Sequence, residues 1–377
     1  MILRKIKLVN FRNYKTFNIN FQKNINIIIG DNAQGKTNIL ESIYTLALTK
    51  SYRTTNDSNL IRINQEKFII IGEIKDGSIF KKLSLELHKS NKVVKINDNI
   101  INKISDYIGN LYVILSSPDD LQMIKGSPTE RRNFLNIEIS QLSSNYIKKY
   151  NEFNKILKMR NDYLKLLFTN NIGDYAYLEV LTNNLIDREI DIYMERKNFI
   201  DKVNKNLTDI YKDIANIKDL KIIYETNVEF NDFNTQDIKR VLTEKYKKNQ
   251  QREIAMGMTL YGPHRDDFTF KINDNDIKIF GSQGQQKLAF IALKFAEIPI
   301  FEEKTGTKPI ILLDDIFSEL DKTKKNKLIQ YINNDYQVII TSNDTKDISK
   351  KILKDSNIYK IKDGKITEKG GDSNGRK

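Results

Sequence analysis

An eight-residue segment near the N-terminus has the residue types and spacing of a phosphate-binding loop. It reads Gly30-Asp31-Asn32-Ala33-Gln34-Gly35-Lys36-Thr37, a complete match to G-x-x-x-x-G-K-[ST]. Its glycines permit backbone torsions that turn successive N–H groups toward a phosphate chain, and a helix beginning there adds the positive end of its dipole. We expect Lys36 to reach the β- and γ-phosphates of ATP, and Thr37 to give its hydroxyl to Mg²⁺. All eight residues are therefore predicted to bind ATP.

Two adjacent carboxylates end an apolar run, where a second magnesium ligand is needed. Ile-Ile-Leu-Leu at 310–313 is followed by Asp314 and Asp315. Asp314 would join Thr37 at Mg²⁺, and Asp315 would orient or polarise the attacking water. The alternative is that the two acids only end a strand or cap the next helix. Because the chain also carries a phosphate loop, Lys36, Asp314 and Asp315 are predicted to be catalytic.

These side chains must be positioned by secondary structure, and the apolar patterns indicate which elements do so. Residues 25–29 resemble a buried strand that runs into Gly30, and apolar residues at helical spacing follow over 39–48. Further strands are predicted at 68–74, 83–87, 267–272, 309–313 and 337–341, a helix at 285–301, and a hairpin at 358–366 that turns at Asp363-Gly364.

The middle of the chain has a different pattern. Ser127-Pro128-Thr129-Glu130 is a capping box with proline at the first helical position, and the sequence from there to about 215 is nearly free of Gly and Pro. Helical hairpins are expected, with most of their residues serving packing. We therefore predict a discontinuous head made of 1–124 and 259–377, interrupted by a mainly helical lobe at 125–258.

The amino-acid composition excludes several classes of function. The 377 residues include no Cys, no Trp and two His, which excludes disulfides, iron–sulfur clusters and a cysteine nucleophile. No apolar run is long enough to span a bilayer, so a cytosolic protein without a membrane partner is expected. The net charge of +13 favours nucleic acid as a partner. A bias toward Lys, Asn and Ile in the coding DNA would also produce such an excess, which makes the charge weak evidence alone.

Two further segments resemble motifs of the ABC ATPase superfamily. Ser282-Gln283-Gly284-Gln285, at a predicted helix start, is similar to its signature motif in the form found in chromosome-maintenance and repair ATPases, and Ser318-Glu319-Leu320-Asp321 resembles its D-loop. Either segment alone would be weak evidence for this superfamily. The order of phosphate loop, signature, paired acids and D-loop identifies an α/β fold, an ABC-type ATPase head with a mixed sheet and a β-rich flank.

The resemblance extends to the RecF family of bacterial DNA repair and replication proteins. Its landmarks span the chain: residues 8–14 (LVNFRNY), 50–54 (KSYRT), 117–121 (SPDDL), 125–128 (KGSP), 131–135 (RRNFL) and 262–267 (GPHRDD).

This resemblance implies how the protein works. The signature residues Ser282, Gln283, Gly284 and Gln285 of a second copy would cover the γ-phosphate, so that ATP favours a homodimer. RecF-like proteins close on double-stranded DNA near single-strand gaps and, with RecR and RecO, help to load RecA, with roles in replication restart and the SOS response. Hydrolysis would open the clamp.

Departures from the superfamily pattern predict slow hydrolysis. Residues 112–116 contain no glutamine for a glutamine loop, Thr341 stands where a switch histidine is usual, and Asp315 replaces the usual Glu. Two other functions share the ATP motifs: a nucleotide-gated scaffold without useful turnover, and the energy-coupling ATPase of a membrane transporter.

The sequence leaves the DNA-contacting residues open. The N-terminal third has the largest basic excess, and its candidates are Arg53, Lys81, Lys82, Lys89 and Lys92, although exposed lysine is usually only solvated surface. Arg131 and Arg132 would serve DNA, a partner or an internal carboxylate equally well. His264 and Arg265 are expected to be functional or to bridge domains.

Overall fold

The structure, a computed structural model, describes residues 1–118, 121–170, 173–331, 335–346, 348 and 350–370. The predicted landmark residues Asp119 and Asp120 lie outside this part, as do the side chains of Ser318 and Glu319.

Contacts divide the chain into two units. Unit 1 contains Met1–Leu121, Asp209–Lys218 and Lys287–Lys377, and unit 2 contains Gln122–Thr208 and Asp219–Gln286. The first division lies close to the expected one at 124, but residues 259–286, which we expected in the head, belong to unit 2. The reason is strand pairing across a long separation, described below.

The secondary-structure elements have the following bounds. The strands are β1 (Ile2–Phe11), β2 (Tyr14–Asn20), β3 (Ile25–Ile29), β4 (Lys67–Asp76), β5 (Ile79–His88), β6 (Asn91–Ile96), β7 (Asn99–Ile100), β8 (Val113–Ser116), β9 (Leu220–Glu225), β10 (Asp267–Ile272), β11 (Asn275–Asp276), β12 (Ile310–Asp314), β13 (Val338–Ser342), β14 (Ser356–Lys362) and β15 (Lys365–Gly370). The helices are α1 (Lys36–Leu48), α2 (Ile104–Tyr107), α3 (Leu121–Lys125), α4 (Pro128–Leu142), α5 (Ser144–Asn170), α6 (Tyr175–Ala215), α7 (Thr235–Met256), α8 (Ile277–Phe280), α9 (Gln283–Thr305), α10 (Lys322–Tyr331) and α11 (Lys350–Asp355).

A six-stranded sheet in the order β15-β14-β3-β13-β12-β8 forms the centre of unit 1. All its neighbouring pairs are parallel except β14 and β15. The strands β3, β12 and β13 are almost wholly buried, as expected for parallel strands covered on both faces, and this explains their unbroken apolar runs. Because parallel strands end at the same edge, the residues after β3, β12 and β13 meet there.

A second, antiparallel sheet of unit 1 has the order β2-β1-β4-β5-β6-β7 and confirms the predicted β-rich flank. Its strands alternate between buried and exposed residues. Leu83, Leu85 and Leu87 of β5 face the core, while the residues between them face solvent or are only partly covered. The predicted hairpin turn also forms, with positive φ at Asp363 and Gly364.

Unit 2 is mainly helical, with one small sheet. The predicted capping box forms at the start of α4, where the Ser127 N–H donates to the Glu130 carboxylate at 2.6 Å, and the long helices α5 and α6 confirm the helical hairpin. The sheet has the order β11-β10-β9, and the sequence analysis missed β9. Since β10 pairs along its length with β9, residues 259–286 are held in unit 2. Among the described residues, no helix is long and apolar enough to cross a membrane.

Candidate nucleotide-binding site

The predicted phosphate loop lies between β3 and α1, as its motif requires. A Cβ at Gly30 would lie 2.5 Å from the carbonyl oxygen of Ile361 in β14, so the neighbouring backbone leaves no room for a side chain. Gly35 precedes α1 with φ 98°, a left-handed conformation that favours glycine. Both glycines are therefore required by the local backbone.

Lys36 is almost buried, with 7% of its surface exposed. Its ammonium group donates to the carbonyls of Gly30 at 2.5 Å and Asp31 at 2.9 Å, and to Oδ1 of Asn343 at 3.1 Å. Burial lowers the pKa of Lys36, while Asp315, Asp314 and Asp31 oppose that shift. The lysine is thus held at the loop by neutral acceptors, with negative charge nearby.

The edge of the central sheet brings Asp314 to Thr37. The Thr37 hydroxyl donates to Oδ1 of Asp314 at 3.0 Å, and the hydroxyls of Thr341 and Tyr52 donate to the same carboxylate at 2.6 and 3.3 Å. Burial raises the pKa of Asp314, whereas these three hydrogen bonds favour its ionised form. Two oxygen groups suited to Mg²⁺, the Thr37 hydroxyl and the Asp314 carboxylate, therefore meet here.

Asp315 has a left-handed backbone, with φ 49°, and its N–H donates to the Thr341 hydroxyl at 3.0 Å. Thr341 thus contacts both acids, and it replaces the histidine that the superfamily pattern would place there. In the predicted D-loop, Asp321 caps α10 by accepting from the Lys324 N–H at 2.9 Å.

The other loop residues lie at the surface. Asp31, Asn32 and Ala33 are exposed, whereas Oε1 of Gln34 accepts the N–H of Asp363 at 2.6 Å. Gln34 therefore fastens the phosphate loop to the turn between β14 and β15.

Sequence reasoning missed Glu41, which is fully buried in α1. Its carboxylate accepts from Arg12 at 2.9 and 2.5 Å, from the Ser51 hydroxyl at 2.6 Å and from Arg53 at 3.3 Å. A charged residue among the apolar positions of a predicted helix was the only available signal. Glu41 explains why the segments 8–14 and 50–54 are distinctive, because it fastens both beside the phosphate loop.

The signature segment begins α9 and lies in unit 2. The Ser282 N–H donates to Oε1 of Gln285 at 2.8 Å, and the Gln285 N–H donates to the Ser282 hydroxyl at 3.2 Å, a reciprocal cap. Gln283 and Gly284 are exposed. The role of these four residues toward the ATP of a second copy stays a prediction.

The landmark 262–267 lies within a buried polar network of unit 2. Arg131 binds both carboxylate oxygens of Asp267, at 2.6 and 2.8 Å, and Arg132 donates to the Asp266 carbonyl at 2.7 Å. Of the alternatives left open for these arginines, the structure shows internal partners. His264 lies 3.3 Å from the Thr259 carbonyl, and burial lowers its pKa to about 4, so its ring is neutral at pH 7.

The basic residues considered for DNA contact differ in their surroundings. Arg53 pairs with Glu41, Lys92 with Asp57 at 2.7 Å, and Lys82 with Asp98 at 2.8 Å. Lys81 donates to the Asn110 amide oxygen at 3.2 Å, and Lys89 is exposed.

The fold and the convergence of phosphate loop and carboxylate define an ATPase head of the ABC and SMC type. Residues 2–367 match the family described as the RecF/RecN/SMC N-terminal domain. An SMC head domain from Pyrococcus furiosus shares this fold, with a TM-score of 0.52 at 16% identity, covering 96% of this chain and 94% of that one.

The chain belongs to the RecF family. The DNA replication and repair protein RecF of Ligilactobacillus salivarius is 38% identical over 370 residues, which cover 98% of each chain. The RecF of Geobacillus sp. WCH70 is 39% identical, covering 97% of this chain and 99% of its own. A solved structure of the recombination mediator protein RecF with ATP, from the RecFOR pathway, is 32% identical with a TM-score of 0.89 and covers 97% of both chains.

Proposed function

We propose that the protein is an ATP-dependent DNA clamp of recombinational repair. ATP binds at residues 30–37, a second copy contributes its signature segment, and the dimer closes on double-stranded DNA at single-strand gaps. Together with RecR and RecO, the clamp helps to load RecA. The observation that carries this proposal is the meeting of Lys36, Thr37 and Asp314 at one edge of the central sheet, where parallel strands end.

The chain's own groups would share the chemistry of a slow ATP hydrolysis. Backbone N–H groups of the loop and Lys36 would neutralise the phosphates, and Thr37 and Asp314 would hold Mg²⁺, which stabilises the charge on the phosphate oxygens. Asp315 would orient the water whose oxygen attacks the γ-phosphorus as the bond to the bridging oxygen breaks. Thr341 would position both acids through its hydroxyl.

Mass measurement by light scattering, with ATP, ADP or no nucleotide, tests this function. We expect the dimer fraction to rise with ATP but not with ADP, and to rise further with a gapped duplex, because only ATP carries the γ-phosphate that a second copy would contact. Lys36→Met serves as the matched control, and it should stay monomeric with ATP. A wild-type chain that is monomeric in every state would contradict the clamp.

Asp315→Asn separates the clamp from a scaffold without useful turnover. The variant should bind ATP and dimerise, but it should release DNA more slowly than the wild type when free ATP is removed. Equal release rates would favour the scaffold.

A further inference from the structure

An exposed aromatic side chain lies among cations on the solvent face of the antiparallel sheet in unit 1. Phe80 of β5 has 60% of its surface exposed, and it is the direct cross-strand partner of Lys75 in β4. The ammonium group of Lys75 lies 5.7 Å from the centre of the Phe80 ring, and the guanidinium carbon of Arg4 lies 5.8 Å from it. Both cations are within cation–π distance of one ring.

The charges around this ring are not balanced. In the next row of the sheet, Lys5 pairs with Glu73 at 3.6 Å, and Lys82 pairs with Asp98 at 2.8 Å. Arg4 and Lys75 form no ion pair with any residue that the structure describes. We call Arg4, Lys5, Lys75, Phe80 and Lys82 the Phe80 patch.

The patch borders an open groove with a volume of about 690 Å³. Besides residues of the patch, the groove is lined by Glu73, which pairs with Lys5, and by the amide-bearing residues Asn20, Gln22 and Asn97. Amides donate and accept hydrogen bonds, which suits the edges of nucleobases, while unpaired cations suit phosphates. An isolated exposed apolar side chain needs no explanation, but an aromatic ring with two unneutralised cations and adjoining amides has the composition of a single-strand binding surface.

We propose that the Phe80 patch binds the single-stranded part of a gapped DNA, with an unpaired base stacked on Phe80 and neighbouring phosphates at Arg4 and Lys75. Duplex DNA fits less well, because its base faces are already covered by neighbouring bases and an aromatic side chain reaches only an unstacked one. This inference rests on the proposed DNA-binding function and adds to it the surface on which the single strand would lie.

The absence of Trp from the chain allows a direct test. Phe80→Trp introduces a single indole, whose fluorescence should be quenched by a thymine oligonucleotide and by gapped duplex, but not by blunt duplex. Ile79→Trp is the matched control, since Ile79 is 57% exposed, adjacent in sequence and on the opposite face of the strand by alternation. Its fluorescence should not change with any of the three DNAs.

Binding measurements by fluorescence anisotropy supply the second arm. Phe80→Ala should weaken binding of the thymine oligonucleotide roughly tenfold, as expected for loss of one stacked base, and should leave blunt-duplex binding unchanged. Unchanged oligonucleotide affinity in Phe80→Ala, or equal quenching by blunt duplex, would overturn the inference while leaving the clamp in place. Quenching by polyglutamate but not by the oligonucleotide would also overturn it, in favour of an acidic protein partner. A wild-type chain that binds no DNA of any kind would overturn both proposals.

Discussion

Two regions of this chain bury charged side chains, and they do so with different partners. Around Lys36 in unit 1, the hydrogen-bond acceptors are two main-chain carbonyls and one exposed carboxamide. In unit 2, buried carboxylates face guanidinium groups: Arg160 lies 2.6 Å from Glu253, and Arg196 lies 3.6 Å from Asp266.

This difference indicates which of the two distinctive motifs, the phosphate loop or the segment 262–267, acts on a ligand. A neutral acceptor can give way to a phosphate without leaving a buried charge unpaired, whereas a buried ion pair cannot exchange one member without that cost. The phosphate loop therefore has the properties of a ligand-binding site, and the segment 262–267 has those of a structural element.

The largest effect should come from breaking a buried ion pair of unit 2. Arg160 and Glu253 are 1% and 0% exposed, and Arg160 also donates to Thr259 at 2.8 Å. Arg160→Leu leaves the Glu253 carboxylate buried alone, so we expect the free energy of unfolding to fall by about 3 to 5 kcal/mol. Denaturant unfolding followed by circular dichroism measures this, and nucleotide binding should persist in the folded fraction.

Lys197→Leu is its control, because the Lys197–Asp201 pair of unit 2 has side chains 38% and 51% exposed. Its loss should cost less than about 1 kcal/mol. Equal destabilisation by the two substitutions would contradict the expected difference between a buried and an exposed ion pair.

The second prediction concerns pH, because burial shifts the pKa values of two residues in the segment 262–267 in opposite directions. Burial raises the pKa of Asp266 from 3.8 to about 6 and lowers the pKa of His264 from 6.5 to about 4. The stability contributed by Asp266 is complete below pH 3.8 and is lost as the pH rises through 6. The contribution of His264 is complete above pH 6.5 and is lost as the pH falls through 4. Between pH 4 and 6 the two contributions oppose each other.

Single substitutions should expose each contribution, which is worth up to about 3 kcal/mol. Relative to the wild type, the free energy of unfolding of Asp266→Asn should rise more steeply from pH 4 to 6.5, and that of His264→Gln should fall from pH 4 to 6. Unfolding curves at four pH values measure the slopes. Parallel slopes for all three proteins would show that the pKa values of Asp266 and His264 do not differ between the folded and unfolded states.

The sequence predicted the elements whose signals are local. The phosphate loop, β3, β12, β13 and α1 were all predicted because apolar periodicity and glycine positions depend only on neighbouring residues.

Contacts between segments that are distant in the sequence could not be predicted from local patterns. Glu41 holds Arg12 and Arg53, Tyr52 donates to Asp314, and Asn343 accepts from Lys36, yet each contact joins segments that only the tertiary fold brings together. The pairing of β10 with β9 is of the same kind, and it explains why the C-terminal division between the units fell at 286 and not at 258.

The smallest predicted effect tests exchange at Lys36 itself. All three of its ammonium protons are donated within the chain, and a phosphate must replace one acceptor. Asn343 is the exposed side chain among them, whereas the two carbonyls are parts of the loop backbone. Asn343→Ala removes a hydrogen bond that ATP would have to break, so ATP should bind about threefold more tightly, as calorimetric titration would measure. Asn343→Asp should bind ATP more weakly, because its carboxylate would hold Lys36 and repel phosphate. Weaker binding by Asn343→Ala would instead mean that this carboxamide contacts the nucleotide, and the acceptors around Lys36 would then be part of the bound site and not placeholders for it.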